Sequence, residues 1–269
     1  MSLILHNYND HDPDRIERDR FVKNEENPRG NNNAWTRPYY DGSIAIGYGF
    51  DILVRDSREI KSYLDKTNDA MGLTGSGRVT LSSRDASLLV STQGGTATQI
   101  GQVARSLSLA FPSEAYSAKL LNIMLNEFES ALDNALGFCM APSKEKTAVL
   151  SLLYSITRPK ATAVKAEIPS TLNAIKNNNR AEAWCELRYR SNKDLGHTDR
   201  RYREAQLFGL YNEGPLYEDQ AKEVVRMYTI HEITETNQAK KMSTYESNRR
   251  TRPPQLSKGT SFNISIDTP

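Results

Sequence analysis

The stretch YYDGSIAIGYGFDI, residues 39–52, predicts a small β-hairpin. Its Asp41-Gly42 pair is a strong turn signal, and Ile44 and Ile46 alternate with small residues as in a half-buried strand. Glycine at this density permits close approach of other backbone or of a ligand. The stretch lacks the third glycine of GxGxxG and the lysine of a phosphate loop, so it does not predict a nucleotide site.

Acidic residues lie on both sides of this hairpin pattern. A helix-like segment begins at Pro13, a residue favoured at the first helical position, and ends at Glu25 and Glu26, whereas Asp41 and Asp51 belong to the hairpin. A glutamate at a helix carboxyl end faces the negative end of the dipole, which favours the raised pKa that a general acid needs. Glycoside hydrolases use two carboxyl groups on opposite sides of a cleft, so these acids are candidate catalytic residues. From these residues alone the alternative is structural: Glu25 and Glu26 would be solvated acids at a helix end, and Asp41 would be a turn residue.

Composition indicates a soluble globular protein of one large or two small domains. The net charge of +2 over 269 residues gives no reason to expect nucleic acid or an anionic membrane as the partner. No apolar run approaches the roughly 18 residues of a membrane span, and the start has no basic leader before an apolar segment, so no secretory signal is expected. The four histidines show no metal-ligand spacing, so we expect no metal site and no other cofactor.

The chain after the hairpin has a mostly helical pattern. KTAVLSLLYSI, residues 146–156, is apolar nearly all round and predicts a buried helix. Residues 216–241 predict one further, more polar helix, and residues 242–269 predict a disordered basic tail because they contain few large apolar side chains. Cys139 and Cys185 are expected as buried free thiols, with a disulfide as the alternative.

FVKNEEN, residues 21–27, followed by the hairpin, resembles the amino-terminal part of phage lysozymes of the T-even coliphage type, the muramidases of glycoside hydrolase family 24. The resemblance continues in order to about residue 211, through REIKSYLDKT, SGRVTLSSRDA, TAVLSLLYSI, IPSTLNAIKNNNRAEAWCELRYRS and LGHTDRRYREAQLF. It implies an α+β, lysozyme-like, mainly helical fold in residues 1–215. A small amino-terminal β-hairpin lobe would occupy about residues 13–77, and a larger helical lobe about residues 78–215.

The resemblance also implies the catalytic carboxyl groups. Glu26 matches the family's proton donor, with Glu25 as the fallback. Asp41 matches the hairpin aspartate of the coliphage enzymes, although its spacing to the following strand is two residues shorter here. Asp51 matches the Gly-Phe-Asp run of the related pesticin-like toxins. We favour Asp51, because turn formation already explains Asp41 whereas no turn role is evident for Asp51.

Three further positions are assigned through the same resemblance. Ala45 stands where the family has a threonine before Ile-Gly, and Ser43 is the candidate substitute for that hydroxyl. Arg200 or Arg201 matches the arginine that pairs with the catalytic glutamate.

The activity implied is that of a peptidoglycan hydrolase, a muramidase that cleaves the β-1,4 bond between N-acetylmuramic acid and N-acetylglucosamine with inversion. Its partners would be peptidoglycan glycan strands, together with an immunity protein or a secretion or holin machinery. The chain would be made in the cytoplasm and act in the periplasm or on the cell wall, as a phage endolysin or an effector toxin. Ala45 supports an alternative, an inactive wall-binding or structural module of the same fold, and an all-helical protein-binding domain is a third hypothesis.

Overall fold

The structure, a computed structural model, describes residues 13–26, 36–191, 197–210 and 218–231. These residues are mostly helical and include a three-stranded antiparallel sheet, in agreement with the predicted α+β class. The chain divides into two compact units: the first is Arg15–Glu127, and the second contains the described residues from Phe128 onward. The predicted lobes at residues 13–77 and 78–215 stay a prediction.

The first unit contains the sheet. Its elements in chain order are α1 (Pro13–Glu26), β1 (Tyr39–Tyr40), β2 (Ile44–Ile46), β3 (Phe50–Asp51), α2 (Ser57–Ala70), a 3-10 turn (Gly75–Gly77), α3 (Ser83–Thr92), α4 (Ala97–Ser106) and the beginning of α5 (Glu114–Leu136). Side-chain caps start several of these helices: Asp56 accepts hydrogen bonds from the first turn of α2, and Thr96 forms a capping box with Gln99 at the start of α4.

The sheet has the order β1-β2-β3, and its register decides which side chains share a face. Tyr39 pairs with Ala45, and Ala45 pairs with Asp51, so these three side chains form one row on the same face. We call this row, together with the neighbouring Asp41 and Ser43, the polar face. On the opposite face the side chains of Ile44, Ile46, Phe50 and Ile52 are buried, whereas Tyr40 at its β1 edge is exposed.

Gly47 explains why the turn between β2 and β3 is rich in glycine. Its φ is +67°, and a Cβ built there would lie 3.2 Å from both Phe111 and Ser117. A side chain there would force Phe111 or Ser117 to shift, and the left-handed backbone favours glycine independently. The nearby backbone is also tied, because the Phe111 amide donates to the carbonyl oxygen of Thr36 at 2.9 Å. Gly47 therefore permits the hairpin to pack closely against the residues that precede and begin α5.

The second unit is helical throughout its described residues. After the end of α5 it contains α6 (Lys144–Ile156), α7 (Ala161–Glu167), α8 (Pro169–Lys176), α9 (Arg180–Cys185), a π-helical turn (Glu186–Arg190), α10 (Thr198–Phe208) and α11 (Glu218–His231). The predicted buried helix is confirmed, because α6 has no exposed residue between Ala148 and Leu153. Helix α11 lies within the predicted 216–241 helix, and the predicted tail at residues 242–269 lies outside the described residues.

The cysteine prediction is half wrong. Both thiols are free, and Cys185 is buried in α9, where burial raises its pKa. Cys139, in contrast, is exposed. It lies in the irregular segment between α5, which ends at Leu136, and α6, so it has no helical face to bury it.

Candidate active site

Helix α1 ends at Glu26, as predicted, and its last turn is anchored on the hairpin. Lys23 lies 4.9 Å from the centre of the Tyr48 ring and forms a salt bridge of 2.7 Å with Glu114. The Tyr48 hydroxyl donates a hydrogen bond to the same Glu114 carboxylate. Residues three apart are neighbours on a helix surface, so Glu26 lies on the side of α1 that Lys23 holds against the hairpin turn.

This anchor gives a prediction about acid stability. The salt bridge from Lys23 and the hydrogen bond from Tyr48 lower the pKa of Glu114. A carboxyl group with a lowered folded pKa contributes stability above its unfolded pKa of about 4.3, and the contribution is lost as pH falls through the folded pKa. Because the Glu114 side chain is 44% exposed, we expect Glu114→Gln to cost only about 0.5–1 kcal/mol at pH 7.

Thermal unfolding between pH 7 and pH 3 measures this contribution. The difference between wild type and Glu114→Gln should be constant near pH 7 and should shrink steadily as pH falls below about 4.3. The control is Glu17→Gln, an exposed carboxyl on α1 whose loss should change little at any pH. A difference between wild type and Glu114→Gln that does not depend on pH would contradict the role of the Glu114 charge.

Asp51, at the end of β3, has a defined hydrogen-bond environment. Its Oδ1 accepts from the Ser43 hydroxyl at 2.8 Å, from the Leu53 amide at 3.0 Å and from the Val54 amide at 3.4 Å. The last two bonds form an Asx turn at the strand exit. Our argument that Asp51 has no turn role is therefore wrong, because its carboxylate fixes the backbone that follows it.

Asp41 forms the turn that its sequence predicts. Its carboxylate accepts a 3.3 Å hydrogen bond from the Ser43 amide. The residue is exposed, but nearby protein atoms desolvate its carboxyl enough to raise the pKa. The Ser43 amide opposes this rise, and the negative charge of Asp51 adds to it. Asp51 thus lies close enough for its charge to act on the Asp41 carboxyl.

Tyr39 lies where the predicted acids converge. Burial raises the pKa of its hydroxyl, and the negative charges of Asp41, Glu26 and Asp51 raise it further. A backbone hydrogen bond at Gly49 partly opposes them. Glu26, Asp41 and Asp51 therefore all lie within electrostatic range of one phenol, in a single compact unit.

Ser43 and the two arginines each have defined partners in the structure. Ser43 directs its hydroxyl at Asp51, so it orients that carboxylate. Arg200 and Arg201 belong to the second unit, where both are buried and both pair with Glu204 in α10. Their predicted pairing with Glu26, a residue of the first unit, stays a prediction.

A second cluster of ionisable side chains lies in the second unit. Ligand atoms of Glu182, Glu186 and His231 all lie within 4.8 Å of one another, a spacing that could hold a metal ion. His231 Nε2 is 2.6 Å from Glu182 Oε1, and Arg190 bonds both Glu186, at 2.9 Å, and the other ring nitrogen of His231. The guanidinium therefore already supplies the positive charge. Spacing along the sequence could not reveal this cluster, because His231 comes from a distant helix.

Sequence reasoning missed Tyr39, Lys23 and Glu114 as parts of the site. The turn signal alone does not identify Tyr39, because a two-residue turn at Asp41-Gly42 would set it opposite Ile44, whereas the observed three-residue turn sets it opposite Ala45. No protein-family model matches the chain, and no characterised protein matches it in sequence. Among the helices of the described residues, none has the length and apolar character needed to cross a membrane.

Proposed function

We propose that the chain is a lysozyme-like glycoside hydrolase that cleaves the β-1,4 bond between N-acetylmuramic acid and N-acetylglucosamine in peptidoglycan. The convergence of Glu26, Asp41 and Asp51 around Tyr39 is the observation that carries this proposal. Most glycoside hydrolases use a pair of carboxyl groups, one as acid and one as base or nucleophile. In this proposal the end of α1, with Glu26, and the end of β3, with Asp51, would supply such a pair.

In the proposed reaction, Glu26 donates its proton to the glycosidic oxygen as the carbon–oxygen bond breaks. A water molecule attacks the anomeric carbon from the opposite side, and a hairpin carboxylate takes its proton, which gives inversion. Asp51 is the better candidate for that carboxylate. The hydrogen bonds that it accepts from described residues all go to Oδ1, so the group is held in place while Oδ2 remains for a water.

The proposed biology follows from the proposed substrate. Glycan strands of peptidoglycan lie outside the cytoplasm, so the protein would act in the periplasm or on the cell wall. An endolysin would need a holin, and an effector toxin would need a secretion apparatus and an immunity protein in the producing cell.

Digestion of purified peptidoglycan with the full-length protein tests the activity. We expect soluble muropeptides whose new reducing ends, after borohydride reduction and mass spectrometry, are muramitol rather than glucosaminitol. Proton NMR of the first products should show the inverted anomer. If a control lysozyme digests the same material and this protein releases nothing, the proposed activity is wrong.

Paired variants then identify the second carboxylate. Asp51→Asn should lower the rate about a hundredfold, the usual scale for loss of a general base, while the amide oxygen still accepts the turn hydrogen bonds. Asp41→Asn, the matched control on the same face, should lower it less than about fivefold. The reverse ranking would assign the base to Asp41, and two small losses would leave Glu26 to act alone.

One observation favours a second candidate, a catalytically inactive peptidoglycan-binding module. The row between Tyr39 and Asp51 is filled by the buried methyl group of Ala45, which supplies no hydroxyl. Co-sedimentation with intact peptidoglycan, combined with no release of muropeptides, would support this candidate over the enzyme.

A further inference from the structure

The position of Tyr39 on the polar face indicates a role beyond packing. It stands opposite Ala45, and Ala45 stands opposite Asp51, so a tyrosine and an aspartate lie on either side of a methyl group. The Tyr39 hydroxyl also reaches the backbone of Gly49 in the turn beyond β2. The ring therefore extends across β2 on the polar face, over the space that the small Ala45 side chain leaves.

Three acidic side chains act on the Tyr39 hydroxyl, beside its backbone hydrogen bond at Gly49. Glu26 comes from α1, Asp41 from the turn after β1, and Asp51 from the end of β3, and all three act on the hydroxyl through their charges. Carboxylates accept hydrogen bonds and cannot donate them when ionised. Such surroundings hold the phenol in its protonated form, so that it can donate a hydrogen bond to an acceptor among these acids.

We infer that Tyr39 is a water-positioning residue, whose hydroxyl donates to the attacking water and holds it against the hairpin carboxylate. This inference rests on the proposed glycosidase function. The water oxygen forms the new bond to the anomeric carbon, and its proton passes to Asp51. Tyr39 keeps its own proton throughout, and Glu26 supplies the proton for the leaving oxygen, so the two carboxyl groups are reset by exchange with solvent.

The test is Tyr39→Phe in the full-length protein, with Tyr40→Phe as the matched control. Tyr40 is the next residue of β1, points to the other face and is 42% exposed. We expect Tyr39→Phe to lower kcat about 10- to 100-fold with KM within about twofold, because one hydrogen bond to a reacting group is lost. Tyr40→Phe should keep the wild-type kcat.

The pH profile separates positioning from a structural role. A donor close to carboxylates favours their ionised form, so its removal should move the acidic limb of kcat/KM to higher pH. The melting temperature of Tyr39→Phe should stay within about 2 °C of wild type. If Tyr39→Phe keeps the wild-type kcat and pH profile, the inference about Tyr39 is wrong, whereas the proposed glycosidase function is unaffected. A fall in kcat that only follows a fall in melting temperature would overturn the inference too, and an inactive wild type would remove the proposed function itself.

Discussion

The Glu26→Gln variant is expected to lose at least about 1,000-fold of the rate of peptidoglycan cleavage while it keeps the wild-type melting temperature. Glutamine has the same shape but cannot deliver a proton to the leaving oxygen, and proton transfer of this kind contributes roughly 10²- to 10⁴-fold. Glu26 is only half-buried at the end of α1, whereas the fully buried contact of that helix is Val22. The core therefore does not depend on the Glu26 charge.

The matched control is Glu25→Gln, the same change one residue earlier on the same half-buried turn. It should keep a rate within about threefold of wild type. Binding to intact peptidoglycan should be similar in both variants, because the acid acts mainly in the transition state. If Glu25→Gln loses the activity and Glu26→Gln keeps it, the proton donor has been assigned one residue too late.

The second large effect concerns stability, and its site is Glu204 in α10. This carboxyl is completely buried and is the shared partner of Arg200 and Arg201, the latter with 0% exposure. Arg200 also donates to the Ser151 carbonyl at 2.8 Å, and the Ser151 hydroxyl donates to Glu204 at 2.6 Å. Glu204→Gln would remove the negative charge that the two buried guanidinium groups share. Removing one partner of a buried pair typically costs about 3–5 kcal/mol.

Denaturant unfolding of the full-length protein measures this loss, and the melting temperature should fall by roughly 10 °C. Glu167→Gln is the control, because Glu167 is an exposed carboxyl at the end of α7, where its loss should change stability by less than about 0.5 kcal/mol. If the denaturant midpoint of Glu204→Gln shifts as little as that of Glu167→Gln, burial of the two arginines does not depend on this carboxylate.

Features that depend on local pattern were predictable from the sequence. Glu26 ends α1 because Asn27-Pro28 follows it, and prolines disfavour helical backbone in the preceding residue. The alternation at Ile44 and Ile46 identified β2, and the apolar character of residues 146–156 identified α6 as buried. In each case neighbours in sequence decide the structure.

Features that depend on partners distant in sequence were not predictable in this way. Helical periodicity marks Arg201 and Glu204 as being on one side of α10, but it does not show that this side is buried with both charges paired. The Asx turn at Asp51 was missed for another reason. The sequence shows an acid at the end of a strand, but it does not show that the backbone after the strand turns back so that its amides bond the carboxylate.

Glu114 has a consequence for the order in which the first unit folds. The strands of the polar face are joined by short turns, so their pairing costs little loop-closure entropy and should form early. Glu114, which joins Tyr48 to α1, is 66 residues away from Tyr48, and that contact has to wait for a long loop to close. The hairpin can therefore exist before Glu26 is brought to it. A chain that emerges partly folded from a ribosome would carry the hairpin acids before Glu114 fixes α1, with the proposed proton donor Glu26, against the hairpin turn.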